Sequence, residues 1–226
     1  LECMRRGNAT LKAKIINTGS IGGFNAIKRG EADVAGIHLP DEASGEYNLP
    51  FLERYGIREK AAIVRGYLRQ QGLIVAKGNP RSISGIEDLL KGDLLFMNRN
   101  RGSGTRVLFD LRLKKIAEEK RTSVETLTRQ IRGYEIETKS HSAVAAAVCH
   151  GKVDAGLGIR TAAETYKLDF VPLVEERYDF LVLKSRLEKQ AVKKLIEVLK
   201  SMEFQSELQR RAPGLVPSKE TGTIIA

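Results

Sequence analysis

Tryptophan is missing from this 226-residue chain, aromatic residues make up only 6%, and there are two cysteines and three histidines. Each scarcity excludes something. Few aromatic rings leave few platforms on which the bases of single-stranded nucleic acid can stack. Cys3 and Cys149 are too few for a disulfide scaffold and read as reduced thiols. His38, His141 and His150 form no Cys/His cluster with metal-ligand spacing, so no metal site is expected. No apolar run approaches the roughly 18 residues that a membrane span needs, and no signal peptide precedes the first helical pattern. The expectation is a cytoplasmic protein without membrane contact. The chain opens at Leu1 rather than Met, which reads as a piece excised from something longer.

What is present is positive charge and enough apolar residues for a sizeable core. Lys and Arg number 38 against 28 Asp and Glu, a formal net charge of +10, and 42% of residues are hydrophobic. Such a balance favours anionic partners. The densest basic groups, Lys120, Arg121, Arg129 and Arg132, then Lys193, Lys194, Arg210 and Arg211, are interleaved with Glu. With no zinc-finger spacing and no helix-turn-helix signal, this segment is not expected to bind nucleic acid. The length suits one large domain or two small lobes.

Short β-rich runs alternate with helical runs, the pattern of an α/β protein. Strands are expected over 14–18, 33–38, 61–67, 71–76, 94–98, 134–138, 155–159, 170–174 and 179–183. Helices are expected over 20–29, 86–90, 104–119, 123–131, 140–150, 161–166, 191–201 and 203–210. Residues 1–6 read as the last turns of a helix ended by Gly7 as a C-cap. Two segments correspond: helix 20–29 runs into GEADVAGIH, and helix 140–150 runs into GKVDAGLGI. In each, a glycine (Gly30, Gly151) ends the helix and an aspartate (Asp33, Asp154) opens a Gly/Ala-rich strand. Two similarly built lobes would explain this, although any αβ unit can end in glycine.

Three turns lead from a strand into a helix start: Thr18-Gly19-Ser20, with Gly22 and Gly23 behind it; Arg101-Gly102-Ser103-Gly104-Thr105; and Thr138 with Ser140, His141 and Ser142. A helix start leaves N–H groups unpaired and carries partial positive charge. Hydroxyls add donors, and glycine lets an anion approach the backbone. Together these turns would make an anion cage of neutral donors, with Arg101 or Arg106 supplying charge. Each alone is more simply explained as an ordinary N-cap. RGSGTR is the least ordinary, yet it has neither P-loop nor GxGxxG spacing, which argues against nucleotide binding.

Catalytic constellations are thin. His38 closes a strand before LPDEASGEYNLP, read here as a loop, and His141 sits in a first helical turn; both can face a cleft. His150, at a helix C-terminus, reads as a dipole partner. Cys149 reads as a small core residue rather than a nucleophile. Glu135 and Glu137 share a strand face without a base or nucleophile to pair them.

The segments GSIGGFNAIKRGEADVAGIHLPDEASGEYNLPF, YLRQQGLIVAKGNP, NRNRGSGTRVLFD, SHSAVAAAVCHGKVDAGLGI and DFVPLVEERYDFLVL together resemble the periplasmic-binding-protein-like domain of intracellular proteins associated with molybdopterin biosynthesis. SIGG and RGSGTR are distantly similar to the oxyanion-gripping loops of tungstate- and molybdate-binding proteins. The resemblance implies a type II binding-protein fold: two lobes, each with a mixed, mostly parallel sheet flanked by helices, joined by crossovers near 68–74 and 171–178. Lobe one would hold 1–71 and 175–226, lacking its amino-terminal strand, and lobe two 72–174. A non-catalytic domain capturing molybdate or tungstate between lobes is implied, linked to molybdenum cofactor biosynthesis or its regulation. Its donors would be Thr18, Gly19, Ser20, His38, Gly102, Ser103, Gly104, Thr105, Thr138, Ser140 and His141, with Arg101, Arg106 and hinge-side Tyr178. No metal or covalent cofactor is implied. Alternatives are the effector domain of a helix-turn-helix regulator, a molybdopterin-binding or transferase accessory domain with a bulkier pterin ligand, or an enzyme. A fused upstream molybdotransferase-like or helix-turn-helix region is an expected partner.

Overall fold

The computed structural model describes residues 2–5 and 12–226. The chain falls into two compact units, the first formed by Leu1–Leu68 with Arg177–Ala226, the second by Arg69–Glu176. Gly7, expected as a C-cap, lies outside the described residues, and the helix before it is α1 (Glu2–Arg5). No described helix is long and apolar enough to cross a membrane.

In the first unit, α2 (Gly19–Lys28) packs on β1 (Val34–Ile37). That packing needs Gly23, where an added Cβ would stand 3.0 Å from Ala35 Cβ. β1 pairs antiparallel with β6 (Asp169–Leu183), Val34 opposite Val182. β6 neighbours β2 (Ala61–Val75), which also pairs with the short β7 (Leu215–Pro217) and β8 (Ile224–Ile225). α3 (Leu49–Arg54), α9 (Gln190–Lys200) and α10 (Met202–Arg211) complete this unit. Val64, Val182, Val192 and Leu199 form one apolar cluster within it.

In the second unit the strand order is β6, β2, β5 (Ala155–Ile159), β3 (Phe96–Arg99), β4 (Glu137–Thr138). β5 is antiparallel to β2, while β3 is parallel to both β5 and β4, so the sheet is mixed. α5 (Gly104–Glu119) buries Phe109, Leu113 and Ile116 in a core with Phe96, Leu73 and Leu157. α4 (Ile86–Leu89) and α6 (Val124–Gln130) close this core with Leu89 and Leu127. A second cluster joins Val144, Ala145 and Val148 of α7 (His141–Cys149) to Ile74 and to Ala163 of α8 (Arg160–Thr165). Gly30 and Gly151 are both left-handed, at φ +71° and +63°, so the corresponding αβ turns share a conformation that favours glycine.

Several expectations are corrected. Residues 14–18 form no strand: they pair with no described neighbour, and Ile15 and Ile16 are 72% and 65% exposed. A strand needs a partner for its backbone groups. The expected breaks at 67–71 and 174–179 are absent, and β2 and β6 each run through 15 residues. Their central charges look like loop residues, but they pair with one another: Arg65 with Asp179, and Arg69 with Glu176. The loop expected before Phe51 ends in α3, where proline sits in the first turn and its missing N–H is not needed. β4 keeps only two residues of 134–138, because Tyr134 turns inward against Phe109. β7, β8 and the 3-10 turn Lys184–Arg186 were not anticipated. Cys149 is exposed, since the core face of α7 is carried by Val144, Ala145, Ala147 and Val148.

Candidate functional site

The second unit holds the more constrained cluster. Asn100, Arg101 and Gly102 carry the chain from the end of β3 into the turn before α5. Asn100 N–H donates to the Thr138 carbonyl at 3.1 Å, and Ser103 N–H to the Asn100 carbonyl at 3.1 Å. Gly102 takes φ +82°, which favours glycine. Ser103 caps α5, its Oγ accepting from Arg106 N–H at 3.2 Å, and Gly104 is buried behind it. Ser140 does the same for α7, accepting from Ala143 N–H at 3.1 Å. Both hydroxyls therefore serve as caps, as their residue type favours.

Thr105 differs. It is 0% exposed, and its Oγ1 has no hydrogen-bond partner. A buried hydroxyl without a partner carries a desolvation cost that most buried polar groups avoid.

The two arginines expected to supply charge are already engaged. Arg101 is exposed; its side chain pairs with Glu135 at 3.0 Å and its N–H donates to Glu137 at 3.1 Å. Arg106 is buried, with Nε 3.0 Å from both oxygens of Asp110 and its guanidinium 4.1 Å from the Tyr134 ring centroid. Tyr134 OH also donates to Asp110, at 2.8 Å. Burial raises the Asp110 pKa, against the pull of Tyr134 and Arg106.

Arg99, at the end of β3, is the charged residue of this turn that sequence reasoning missed. It is 6% exposed and makes no ion pair with a described residue. Nε donates to the Thr138 carbonyl at 3.1 Å and Nη2 to the Lys139 carbonyl at 2.9 Å. Nη1 lies 2.9 and 2.8 Å from His141 Nδ1 and Nε2. Burial lowers the Arg99 pKa to about 10; Arg69 also lowers it, while Glu176 opposes. A signal was available: Asn98 and Arg99 are polar residues ending a strand that is otherwise apolar.

Arg69 and Glu176 form a buried ion pair, and Gln71 Nε2 also donates to Glu176. Strand β2 approaches β6 so closely here that a Cβ on Gly72 would stand 2.0 Å from the Val171 carbonyl oxygen.

The first unit holds the other predicted residues. Thr18 is the exposed N-cap of α2 with no capping bond, and Gly19 follows at φ +71°. Ser20 is fully buried and its Oγ accepts from His38 N–H at 3.1 Å. The His38 ring stacks on Tyr178 with centroids 5.6 Å apart, and Tyr178 stacks on Tyr67 at 5.4 Å. Ser20, His38 and Tyr178 are thus brought together. Beside them Asp179 accepts from Asn48 Nδ2, Arg65 Nη1 and Gly66 N–H at 2.9, 3.0 and 3.1 Å. Among the described residues no group of three metal-ligating side chains comes together.

A family model described as the PBP superfamily domain matches residues 1–200. An uncharacterised protein of Bacillus subtilis strain 168, YvgK, is 35% identical over 190 residues, 84% of this chain and 58% of that protein. The chain therefore spans less than two thirds of that relative. A periplasmic thiamin binding protein superposes with a TM-score of 0.69 at 12% identity, over 96% of this chain and 77% of that one. A substrate-binding protein of the phosphate ABC transporter type from Clostridium perfringens, solved with phosphate bound, gives 0.65 at 14%, over 96% and 92%. At such identities the likeness is one of fold.

Proposed function

The chain belongs to the PBP superfamily, and from that premise we propose that it binds a small tetrahedral oxyanion without catalysing its conversion. The observation that carries this reading is a buried guanidinium, Arg99, that makes no ion pair with a described carboxylate, at the strand-to-helix turn that also buries the unpartnered Thr105 hydroxyl. A buried cation normally has a paired anion, and a buried hydroxyl normally has a hydrogen-bond partner. An oxyanion would complete both, with the first-turn N–H groups of α5 adding donors and a favourable dipole. Selection would rest on dehydration and hydrogen bonding rather than metal coordination.

In this proposal Arg99 takes the charge role first expected of Arg101 and Arg106. Gly102 and Gly104 let the anion near the backbone, Ser103 and Ser140 hold the helix starts in shape, and Thr138 and His141 position Arg99. Thr18, Gly19, Ser20, His38 and Tyr178 are a second donor set, in the first unit. Molybdate and tungstate are the ligands implied by the sequence resemblance, together with a role in molybdenum cofactor biosynthesis or its regulation. The phosphate-bound neighbour supports the oxyanion class more broadly.

Isothermal titration calorimetry with molybdate, tungstate, phosphate and sulfate tests the reading. Saturable heat is expected with at least one of the four, lost in Arg99→Met. No heat with any of them overturns it.

A further inference from the structure

Arg106 is a buried cation in the first turn of α5, and its Nη1 reaches the Arg99 carbonyl at 3.5 Å. It therefore stands on the same turn as the oxyanion site, although in that reading the charge comes from Arg99. What withholds the charge of Arg106 is Asp110, one helical turn further along α5, with both carboxylate oxygens 3.0 Å from Nε. We propose that Asp110 is a specificity-determining residue. By neutralising Arg106 it sets the charge of the turn, and so limits how strongly the protein prefers a doubly charged oxyanion over a singly charged one of the same shape. This inference rests on the oxyanion reading of the Arg99 site.

The pair is braced from outside the helix. Tyr134 OH donates to Asp110 Oδ1 at 2.8 Å, and the Arg106 guanidinium lies 4.1 Å from the Tyr134 ring centroid. The Tyr134 carbonyl in turn accepts from Asn98 Nδ2 at 3.3 Å, which ties the brace to β3. A guanidinium and a carboxylate in contact act on a third charge as a dipole, whose effect falls off faster with distance than that of a lone cation. The other charges about the turn contribute less. Arg101 and Glu135 are exposed and pair with each other, Glu137 is exposed too, and water screens all three. Arg69 and Glu176 form an ion pair of their own. Removing the Asp110 charge therefore raises the buried charge of the turn by one unit. Coulomb energy scales with the charge of the ligand, so an unmasked Arg106 acts twice as strongly on a dianion as on a monoanion in the same place.

Isoelectronic anions separate charge from shape: tungstate against perrhenate, and sulfate against perchlorate. Calorimetry at mildly alkaline pH, where all four keep a fixed charge, measures the dianion-to-monoanion affinity ratio. Asp110→Asn keeps an acceptor at Oδ1, where the bonds from Tyr134 OH and Arg106 Nε converge. It is expected to bind dianions about tenfold tighter and matched monoanions about threefold tighter, so that the ratio rises about threefold. The double variant Arg106→Gln with Asp110→Asn removes both charges and is expected to return the ratio to that of the unaltered protein. Asp110→Asn also leaves Arg106 without its anion in the free protein, so added tungstate should raise its melting temperature more than that of the unaltered protein. Should Asp110→Asn fail to fold, Arg106→Gln, which leaves the carboxylate unneutralised, must weaken dianions more than monoanions. Dianion affinity that stays level or falls in Asp110→Asn, or rises no more than that of the matched monoanion, overturns the charge-setting role and leaves the oxyanion reading intact. The same holds for an unchanged ratio in Arg106→Gln. Absence of binding of tungstate, molybdate, sulfate and phosphate alike overturns both.

Discussion

Arg99 and Thr138 face each other in the parallel register of β3 and β4, and the side chain of the first donates to the carbonyl of the second at 3.1 Å. The guanidinium is thus fastened across the strand pair that positions it, without an ion pair to a described carboxylate. Arg99→Lys keeps that charge but cannot reach both the Thr138 and Lys139 carbonyls with a planar fork. It is expected to weaken oxyanion binding at least tenfold. Arg99→Met leaves those carbonyls without a donor and is expected to cost about 1–3 kcal/mol of stability. Urea unfolding and calorimetry on both variants separate the two effects.

Thr105→Val should move stability and binding in opposite directions. The substitution keeps the shape and removes a buried hydroxyl that has no partner in the folded protein. Stability is expected to rise by about 1 kcal/mol, as for relief of an unsatisfied buried group. Affinity for the oxyanion is expected to fall, because the lost hydroxyl is one of the proposed donors. Thermal unfolding with and without molybdate measures both. A variant that is less stable yet binds normally would place the hydroxyl in the scaffold instead.

Glu176 is fully buried, pairs with Arg69 and accepts from Gln71. Glu176→Gln leaves the Arg69 cation buried without its anion, a change expected to cost about 3–5 kcal/mol. Replacing Arg69 with Met in the same chain should recover part of that loss. A double-mutant cycle from urea midpoints reads the coupling.

Gly36 lies under the Tyr178 ring, where an added Cβ would stand 1.8 Å from the hydroxyl oxygen and 2.6 Å from the carbon bearing it. Gly36→Ala is expected to destabilise by about 1–3 kcal/mol through overpacking. Tyr178→Ala removes the obstructing ring, so the pair should be less damaging than the sum of the two single changes. Near-ultraviolet circular dichroism should show Gly36→Ala disturbing the tyrosine stack.

Asp88 accepts from Lys91 Nζ at 2.6 Å, from Ser84 N–H at 2.7 Å and from Gly85 N–H at 3.2 Å. Lys91 first, then the Ser84 groups, hold its carboxyl well below the usual carboxylate range. The folded state therefore binds this proton less readily than the unfolded chain. The resulting stabilisation is complete above the ordinary aspartate range and declines as pH falls toward the depressed folded value. Asp88→Asn is expected to lower stability at neutral pH and to flatten its decline in acid, as measured by urea unfolding across pH.

The alternation of helical and β-rich runs was legible because each element carries its own period. α5 was readable over its full length from apolar residues such as Phe109, Leu113 and Ile116 recurring on one face. The helix starts were readable because Ser103 and Ser140 cap in the way their residue type favours. What was not legible depends on partners distant in sequence. Arg69 and Glu176 look like loop residues until each is seen to neutralise the other inside a strand. Arg99 was passed over for Arg101 and Arg106 because all three lie in one basic run. Only Glu135 and Asp110, which engage the latter two, show Arg99 to be the arginine left without a carboxylate. Ile15 and Ile16 carry strong β propensity, and propensity alone does not supply a neighbouring strand.

The second unit is one unbroken stretch, Arg69–Glu176, inserted between two parts of the first. The bond from Asn48 to Asp179 joins residues 131 positions apart, and that from Thr221 to Gly66 spans 155. During synthesis the ribosome therefore delivers every contact of the second unit before Asp179 exists. The early part of the first unit must wait, with Asn48 Nδ2 and the Arg65 guanidinium lacking Asp179 and β1 lacking β6, until the chain returns. Contacts so distant in sequence form late and slowly. A nascent chain halted after Glu176 would carry a finished second unit beside an open first one, and that interval is when the protein most needs protection from aggregation.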